Sequence, residues 1–123
     1  MALKVTTIPL CKSEVIGAQG TAGTFTSDVV DMRDIVGDGV CSLTMVKHST
    51  SGDPGTTGSS VASYLVAGSR DGTFATAGTF STLGHNVGPR IKSFTPETAP
   101  FMKIRVITGT SNPLVLTAEL NVR

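Results

Sequence analysis

Two cysteines and two histidines are the side chains of this 123-residue chain that most often hold transition metals: Cys11, Cys41, His48 and His85. Neither cysteine lies within four residues of the other or of a histidine. A zinc site takes several Cys, His or carboxylate ligands, usually in close pairs. The spacing therefore predicts no metal site, and we expect both thiols to be reduced and packed as small apolar residues.

The acidic residues cluster in one segment, where Asp28, Asp31, Asp34 and Asp38 surround Arg33. Calcium binds several oxygen ligands, and the calcium loop of a helix-loop-helix hand places its carboxylates at alternate positions. The spacing of three and four residues in this cluster does not match that loop. We interpret the segment as a solvent-exposed loop face, with a calcium site as the alternative.

Residues 52–60 are rich in glycine and resemble a phosphate-binding loop in composition only. In that loop a lysine follows the last glycine, whereas here Ser59 follows Gly58 and the segment contains no lysine. The chain also lacks the Gly-x-Ser-x-Gly pattern that presents a nucleophilic serine in many hydrolases. We therefore expect no enzyme activity and no cofactor.

The composition favours β-structure. Val, Ile and Thr number 37, whereas Lys and Glu together number eight. β-Branched residues suit strands and long straight-chain residues suit helices. No segment sustains the 3.6-residue apolar period of an amphipathic helix, so the chain is predicted to be all-β rather than a helical bundle, a coiled coil or a doubly wound α/β enzyme.

Alternation of apolar and polar residues is clearest over residues 101–108 and 114–123, and it is typical of half-buried strands. Turn-forming residues separate these two segments at 109–113, so the pair is predicted to form a β-hairpin. Residues 40–48 and 61–67 are two further strands. Shorter candidates are residues 4–10, 23–26, 29–34, 73–75, 79–83 and 90–94.

About eight short strands in a chain of this length are typical of a sandwich or barrel. We predict one domain over residues 1–123, a single antiparallel β-sandwich of jelly-roll type. The apolar positions of the longest strands are predicted to form its core: Leu43, Met45, Met102, Ile104, Val106, Leu116, Ala118 and Leu120.

Charge and hydropathy limit the partners. The net charge is +1, which gives no overall field for attracting nucleic acid or an anionic membrane. No apolar run approaches the roughly 20 residues that span a bilayer. The N-terminus lacks a long apolar stretch behind Lys4, as a signal peptide would have, so we expect the protein to stay where it is made and to contact neither nucleic acid nor a membrane directly.

Positive charge is concentrated near the C-terminus. Lys103 and Arg105 share one strand face, and with Arg90, Lys92 and Arg123 they give residues 81–123 five positive charges against two negative ones. If their strands are adjacent, they form a modest positive strip suited to an acidic protein partner. The strip is too small and too poor in aromatic residues for a nucleic-acid platform. An ordinary solvated face is the other interpretation.

Three segments resemble small virion proteins of tailed bacteriophages, particularly head decoration (cement) proteins. They are the Ser-Arg-Asp-Gly-Thr-Phe turn at 69–74, the Ala-Pro-Phe-Met-Lys-Ile-Arg-Val run at 99–106 and the C-terminal strand at 112–123. The resemblance covers roughly residues 40–123. It implies a structural protein that binds the outer surface of a capsid and stabilises it, with the major capsid protein as its partner. It also implies self-association as a dimer or trimer and a place on the virion after synthesis in the bacterial cytoplasm.

Two other functions are compatible with the same pattern. One is a different phage structural subunit, of the tail or the head–tail connector. The other is a surface-displayed module that binds carbohydrate or a receptor, against which the absence of Trp and the single Tyr argue, because sugar-binding sandwiches usually stack such rings on the sugar.

The capsid contact is predicted to involve an N-terminal arm, residues 1–15, and the loop at residues 49–60, which contains no apolar residue. The arm could add a strand to the sheet edge of a neighbour while its charges set the register. The alternative is that residues 4–10 are an internal edge strand of this domain. The predicted partner-binding residues are Leu3, Lys4, Val5, Ile8, Leu10 and Lys12 of the arm, with Lys103 and Arg105 of the positive strip.

Overall fold

The computed structural model describes residues 5–18, 23–33, 39–48, 60–80, 88–97, 99–108 and 114–123. These residues form nine strands and no helix, so none of them lies in a helix that could cross a membrane. The strands are β1 (Thr6–Ile16), β2 (Thr24–Thr26), β3 (Val30–Asp31), β4 (Cys41–His48), β5 (Ser60–Ala67), β6 (Ala75–Thr79), β7 (Gly88–Phe94), β8 (Phe101–Thr108) and β9 (Leu114–Val122).

The strands form two sheets. One has four strands in the order β1-β9-β4-β7, and the other has five, in the order β2-β8-β5-β6 with β3 also beside β8. Strands at mirrored positions in the chain pair with each other: β1 with β9, β2 and β3 with β8, β4 with β7, and β5 with β6. All of these pairs are antiparallel. The nested pairing is that of a jelly roll, and the predicted all-β sandwich is confirmed.

The core lies between the two sheets. The eight predicted core residues are all buried, each at most 2% exposed, which confirms the strand faces assigned from alternation. They lie in one continuous cluster with residues of both sheets, among them Ile16, Val30 and Cys41. The core is therefore formed by face-to-face packing of the two sheets.

Three aromatic rings pack together at one side of the core. Tyr64 of β5 and Phe94 of β7 belong to different sheets, and their ring centres lie 4.9 Å apart. Phe80, which follows β6, lies 4.9 Å from Phe94 and 5.9 Å from Tyr64. Gly78 is opposite Tyr64 on β6, and a Cβ there would lie 2.4 Å from the Tyr64 ring. Glycine at this position is what lets the ring lie against the backbone of β6.

The predicted hairpin between residues 101–108 and 114–123 is wrong. Among the described residues β8 pairs with β2, β3 and β5, whereas β9 pairs with β1 and β4 in the other sheet. Turn-forming residues between two strands indicate that the chain reverses direction. They do not distinguish a hairpin within one sheet from a connection between two packed sheets. The residues between the strands, 109–113, lie outside the described residues.

Several predicted strands have different bounds. The first extends to Ile16. Near the strands predicted at 73–75 and 79–83 the described residues form one strand, β6, and residues 81–83 lie outside the described residues. Within residues 29–34, only Val30–Asp31 is a strand. The loop predicted at residues 49–60 lies outside the described residues except for Ser60, which begins β5.

Within the predicted N-terminal arm, the described residues from Thr6 onward form an edge strand of the domain, whereas residues 1–4 lie outside the described residues. β1 pairs with β9 from Thr6 to Ile16, and its register shifts twice, between Pro9 and Cys11 and between Cys11 and Glu14. These bulges accompany a left-handed backbone at Ser13, where φ is 52°. Bulges and proline are devices that keep an edge strand from pairing with another chain.

Ser27 joins the two short strands β2 and β3 to β8. Its amide donates to the carbonyl of Ile104 at 2.8 Å, and its Oγ accepts a hydrogen bond from the Ile104 amide at 3.0 Å. The same hydroxyl donates to the carbonyl of Asp28 at 2.9 Å. Ser27 is 4% exposed. Between the end of β2 and the start of β3, its hydroxyl supplies the hydrogen-bond acceptor that the backbone of a neighbouring strand would otherwise give to Ile104.

We expect Ile104→Ala and Leu116→Ala each to lower the free energy of unfolding by about 2–5 kcal/mol, because each leaves a cavity in a closed core. One residue comes from each sheet, and both are 0% exposed. Urea denaturation measures the change, with Val15→Ala as control because Val15 is 63% exposed. Losses at both core positions as small as that of the control would show that the strand faces are reversed.

Ser27→Ala is expected to lower the free energy of unfolding by about 1–3 kcal/mol, because it removes the acceptor of a buried amide. The Ile104 amide, which donates to Ser27 Oγ, should also exchange its hydrogen with solvent faster. Denaturation and amide hydrogen exchange measure the two effects, with the exposed Ser93→Ala as control. Unchanged protection at Ile104 would contradict this role of the hydroxyl.

Candidate functional site

The outward side of the five-stranded sheet carries the charged groups that β8 contributes. Because Met102, Ile104 and Val106 point into the core, the intervening residues of the strand point outward. In register with β5, Phe101 lies opposite Ala67, Lys103 opposite Leu65, and Arg105 opposite Ser63. We call the surface formed by Asp31, Arg33, Arg70, Phe74, Phe101, Lys103 and Arg105 the charged face.

Two guanidinium groups cover the outward ring of Phe101. The Cζ atoms of Arg33 and Arg70 lie 4.9 Å and 5.3 Å from the ring centre. Phe101 is only 5% exposed although it points away from the core. Cation–π attraction favours this arrangement and also limits the freedom of both arginine side chains.

Asp31 of β3 holds the same two arginines. It accepts hydrogen bonds from Arg33 Nε at 3.0 Å and Arg33 Nη2 at 2.8 Å, and from the Arg33 amide at 3.0 Å. Arg70 Nη2 lies 3.5 Å from its Oδ2. The hydrogen bonds from Arg33, with its charge and that of Arg70, lower the pKa of Asp31 from 3.8 to about 2. Asp31 is thus charged at neutral pH and orients both cations.

Lys103 borders an open groove beside this pair. Its Nζ lies 4.5 Å from the ring centre of Phe74. The turn between β5 and β6 forms the far side of the groove and is closed by a hydrogen bond from the Gly72 amide to the Ser69 carbonyl at 3.2 Å, as its sequence predicts. The residues lining the groove are Asp28, Val29, Arg70, Asp71, Gly72, Phe74 and Lys103.

Arg105 extends the charged face toward β6. Its Nη2 donates to Thr76 Oγ1 at 3.1 Å. Its Nε is shielded from solvent and has no hydrogen-bond partner within the described residues. Arg105 is therefore half-buried, with Nε covered and Nη2 bonded to Thr76.

The charged face presents four cations whose positions are fixed by rings, a carboxylate and a hydroxyl of the same chain. Guanidinium groups bind carboxylates with two parallel hydrogen bonds, and an ammonium group binds them as a point charge. Arg33 already forms such a pair with Asp31, and Asp28 and Asp71 line the adjoining groove. In the part of the chain that the structure describes, no group of three His, Cys, Asp or Glu side chains is close enough to hold a metal ion; Asp34 and Asp38 lie outside that part.

The positive strip predicted near the C-terminus is not continuous. Lys103 and Arg105 lie on the five-stranded sheet, whereas Lys92 of β7 and Arg123, which follows β9, belong to the four-stranded sheet. Arg90 also lies on β7. The charges that lie near Lys103 are instead those of Arg33, which follows β3, and of Arg70, in the turn after β5. The pairing of β3 and of β5 with β8 brings them together, and no local sequence pattern indicates it.

The predicted residues of the N-terminal segment have different environments. Ile8 and Leu10 are half-buried and pack against the core, because the register of β1 places Ile8 opposite Leu120. Val5 is 54% exposed, and Lys12 is exposed at the bulge of β1. Leu3 and Lys4 lie outside the described residues.

Both cysteines are free thiols in β1 and β4. Burial raises the pKa of Cys41 to about 11 and also raises that of Cys11. Cys11 Sγ donates to the carbonyl of Leu116 at 3.5 Å. A thiol with a raised pKa is mostly protonated and is a poor nucleophile at neutral pH, so both residues act as packing groups.

The stability that Asp31 provides should be lost in acid. Its folded-state pKa of about 2 lies below the ordinary value of 3.8, so the unfolded chain binds the proton first as the pH falls. The contribution is complete above about pH 4 and disappears between about pH 4 and pH 2. Thermal melts across this range should show a shallower fall in Tm for Asp31→Asn than for the parent chain. Asp71→Asn, which alters an exposed carboxylate of the groove, is the control, and equal slopes in all three proteins would contradict the role of Asp31.

No protein-family model matches the chain, and no curated protein matches it in sequence. Among solved structures, the PBSX exported protein XepA aligns with a TM-score of 0.60 and 8% identity over 95% of this chain and 36% of XepA. The chain therefore spans about a third of the length of XepA. PirA aligns with a TM-score of 0.52 and 10% identity over 97% of this chain and 93% of PirA. At these identities the similarity to XepA and PirA shows a shared fold.

Proposed function

We propose that this protein is a structural component of a bacteriophage particle that binds the outer surface of the capsid and stabilises it. The charged face is the proposed contact, and an acidic surface of the major capsid protein is the proposed partner. The role needs no catalytic step. The observation that carries the proposal is the ordered pair Arg33 and Arg70, held over Phe101 by Asp31.

Fixed cations suit repeated docking on a shell. Long charged side chains lose conformational freedom when they bind a partner, which costs free energy. This cost is smaller for side chains that the folded protein already holds in place. A ligand that binds only the assembled shell stabilises it at each site by RT ln(1 + [L]/Kd). Many modest contacts repeated over a capsid therefore add up to a large stabilisation.

The comparison with XepA supports an association with phage. XepA is an exported protein of the prophage PBSX, and its shared fold accords with the resemblance of residues 69–74, 99–106 and 112–123 to virion proteins. We place the protein on the capsid exterior after synthesis in the bacterial cytoplasm. A tail or head–tail connector subunit is the second candidate, since the same fold and charged face would serve either position.

Immunogold electron microscopy tests the location directly. Antibodies against the purified chain are applied to particles from a lysate of the phage or induced prophage whose genome encodes it. Label over the heads is the expected result. Label confined to tails or necks would contradict the capsid role and support a tail or head–tail connector subunit. Particles without label would contradict both functions.

Removing charge from the charged face should weaken binding to heads. Lys103→Gln keeps an aliphatic stem with a polar end beside Phe74 but removes the cation, and we expect about a tenfold or greater loss of affinity, equivalent to about 1.4 kcal/mol or more. Co-sedimentation with expanded heads that lack this protein measures the affinity.

Lys92→Gln is the matched control, because it removes the same charge from an exposed position on the other sheet. Raising the salt concentration should lower the affinity of the parent chain and of the control for heads to a similar extent, since salt screens contacts between exposed charges. Equal affinity of the two variants would exclude the charged face as the contact, and equal melting temperatures would show that folding is unaffected.

A further inference from the structure

We propose that the outward side of the four-stranded sheet binds a second copy of this chain, so that two sandwiches pack sheet against sheet about a two-fold axis. This proposal does not rest on the phage role. We call the surface the four-stranded face, and it consists of the outward residues of β1, β9, β4 and β7. Its described charged residues are Glu119 of β9, Lys12 at the bulge of β1 and Arg123 just after β9, and its other described residues are Thr, Ser, Asn, Val, Ile and Pro.

Four polar side chains of the four-stranded face are already paired with each other. Thr7 Oγ1 donates to Asn121 Oδ1 at 2.8 Å, which connects β1 to β9. Asn121 Nδ2 donates to Thr44 Oγ1 at 3.1 Å and to Ser42 Oγ at 3.4 Å, which connects β9 to β4. Burying polar atoms is unfavourable when they lose water without gaining a partner. Here the partners exist before association, so covering the face leaves fewer donors unsatisfied.

Apolar side chains are exposed at the two sides of the same face. Val15 on β1 is 63% exposed, and Ile91 on β7 is 69% exposed. Both are opposite outward residues of the central strands, Val15 opposite Val115 and Ile91 opposite Thr44. Covering these side chains removes apolar area from water, which favours association.

The size of the face is sufficient for a specific, reversible dimer. Four strands at a spacing of about 4.8 Å and with paired lengths of about 27 Å present roughly 500 Å² on each copy. Two copies then bury roughly 1,000 Å², which is near the lower limit for a specific interface. We therefore expect a dimer that dissociates on dilution.

Pairing through the sheet edges is less favourable than pairing through the face. Both outer strands of this sheet contain proline, at Pro9 in β1 and Pro89 in β7. β1 also has two register shifts and a left-handed Ser13. Such features interrupt the row of backbone groups that an added strand needs.

Charge complementarity identifies the contact. Lys12 and Glu119 line one shallow groove at the bulge of β1, and neither forms a salt bridge with another described residue. In a two-fold interface each contact occurs twice, with the two copies exchanging roles. Lys12 of one copy can then meet Glu119 of the second copy at two symmetric positions, so the interface is self-complementary in charge.

A charge exchange tests the proposal. Sedimentation equilibrium of the purified chain should show a monomer–dimer equilibrium that shifts with concentration. Lys12→Glu and Glu119→Lys should each weaken the dimer about tenfold or more, because each places like charges opposite one another. The double variant Lys12→Glu/Glu119→Lys restores opposite charges and should recover most of the affinity.

Lys103→Glu makes the same charge change on the charged face and should leave the dimer unchanged. A chain that is monomeric at all concentrations would overturn the proposal, as would single variants that bind like the parent chain or a double variant that shows no recovery. Thermal melts confirm that each variant is folded. The measurement uses purified protein without phage particles, so its failure leaves the proposed capsid contact standing.

Discussion

The register of β8 is the constraint on which both the core and the charged face depend. β8 lies inside its sheet, with β5 on one side and β2 and β3 on the other. Met102, Ile104 and Val106 are at most 1% exposed, and alternation then forces Lys103 and Arg105 outward. A slip by one residue would bury both cations and expose three apolar side chains, so the register is strongly specified.

The outward ring of Phe101 creates a second requirement. Covering a large ring on the solvent side of a sheet removes apolar area from water, and Arg33 and Arg70 cover this ring from two different parts of the chain. Two guanidinium groups so close together repel each other unless an anion lies between them. Asp31 supplies that anion, so a packing requirement and an electrostatic one are met by one small group of side chains.

The two outer surfaces of the sandwich have opposite chemical character. The five-stranded sheet presents fixed cations and aromatic rings, whereas the four-stranded sheet presents small polar groups bonded to one another across β1, β9 and β4. Because the core separates these surfaces, a partner on one leaves the other accessible. The fold can therefore support two distinct contacts without competition between them.

Alternation in the sequence by itself determined the all-β class, the eight core residues and the outward direction of Lys103 and Arg105, because side-chain direction in a strand has a period of two. Only the tertiary structure decided which strands are neighbours. It separated residues 101–108 from residues 114–122, turned Ile8 and Leu10 toward the core, and brought Arg33 and Arg70 to Phe101. Strand pairing joins residues more than a hundred positions apart, as Thr7 and Asn121 are joined. Such pairing depends on how two whole sheets close over a common core, which no local pattern of residues encodes.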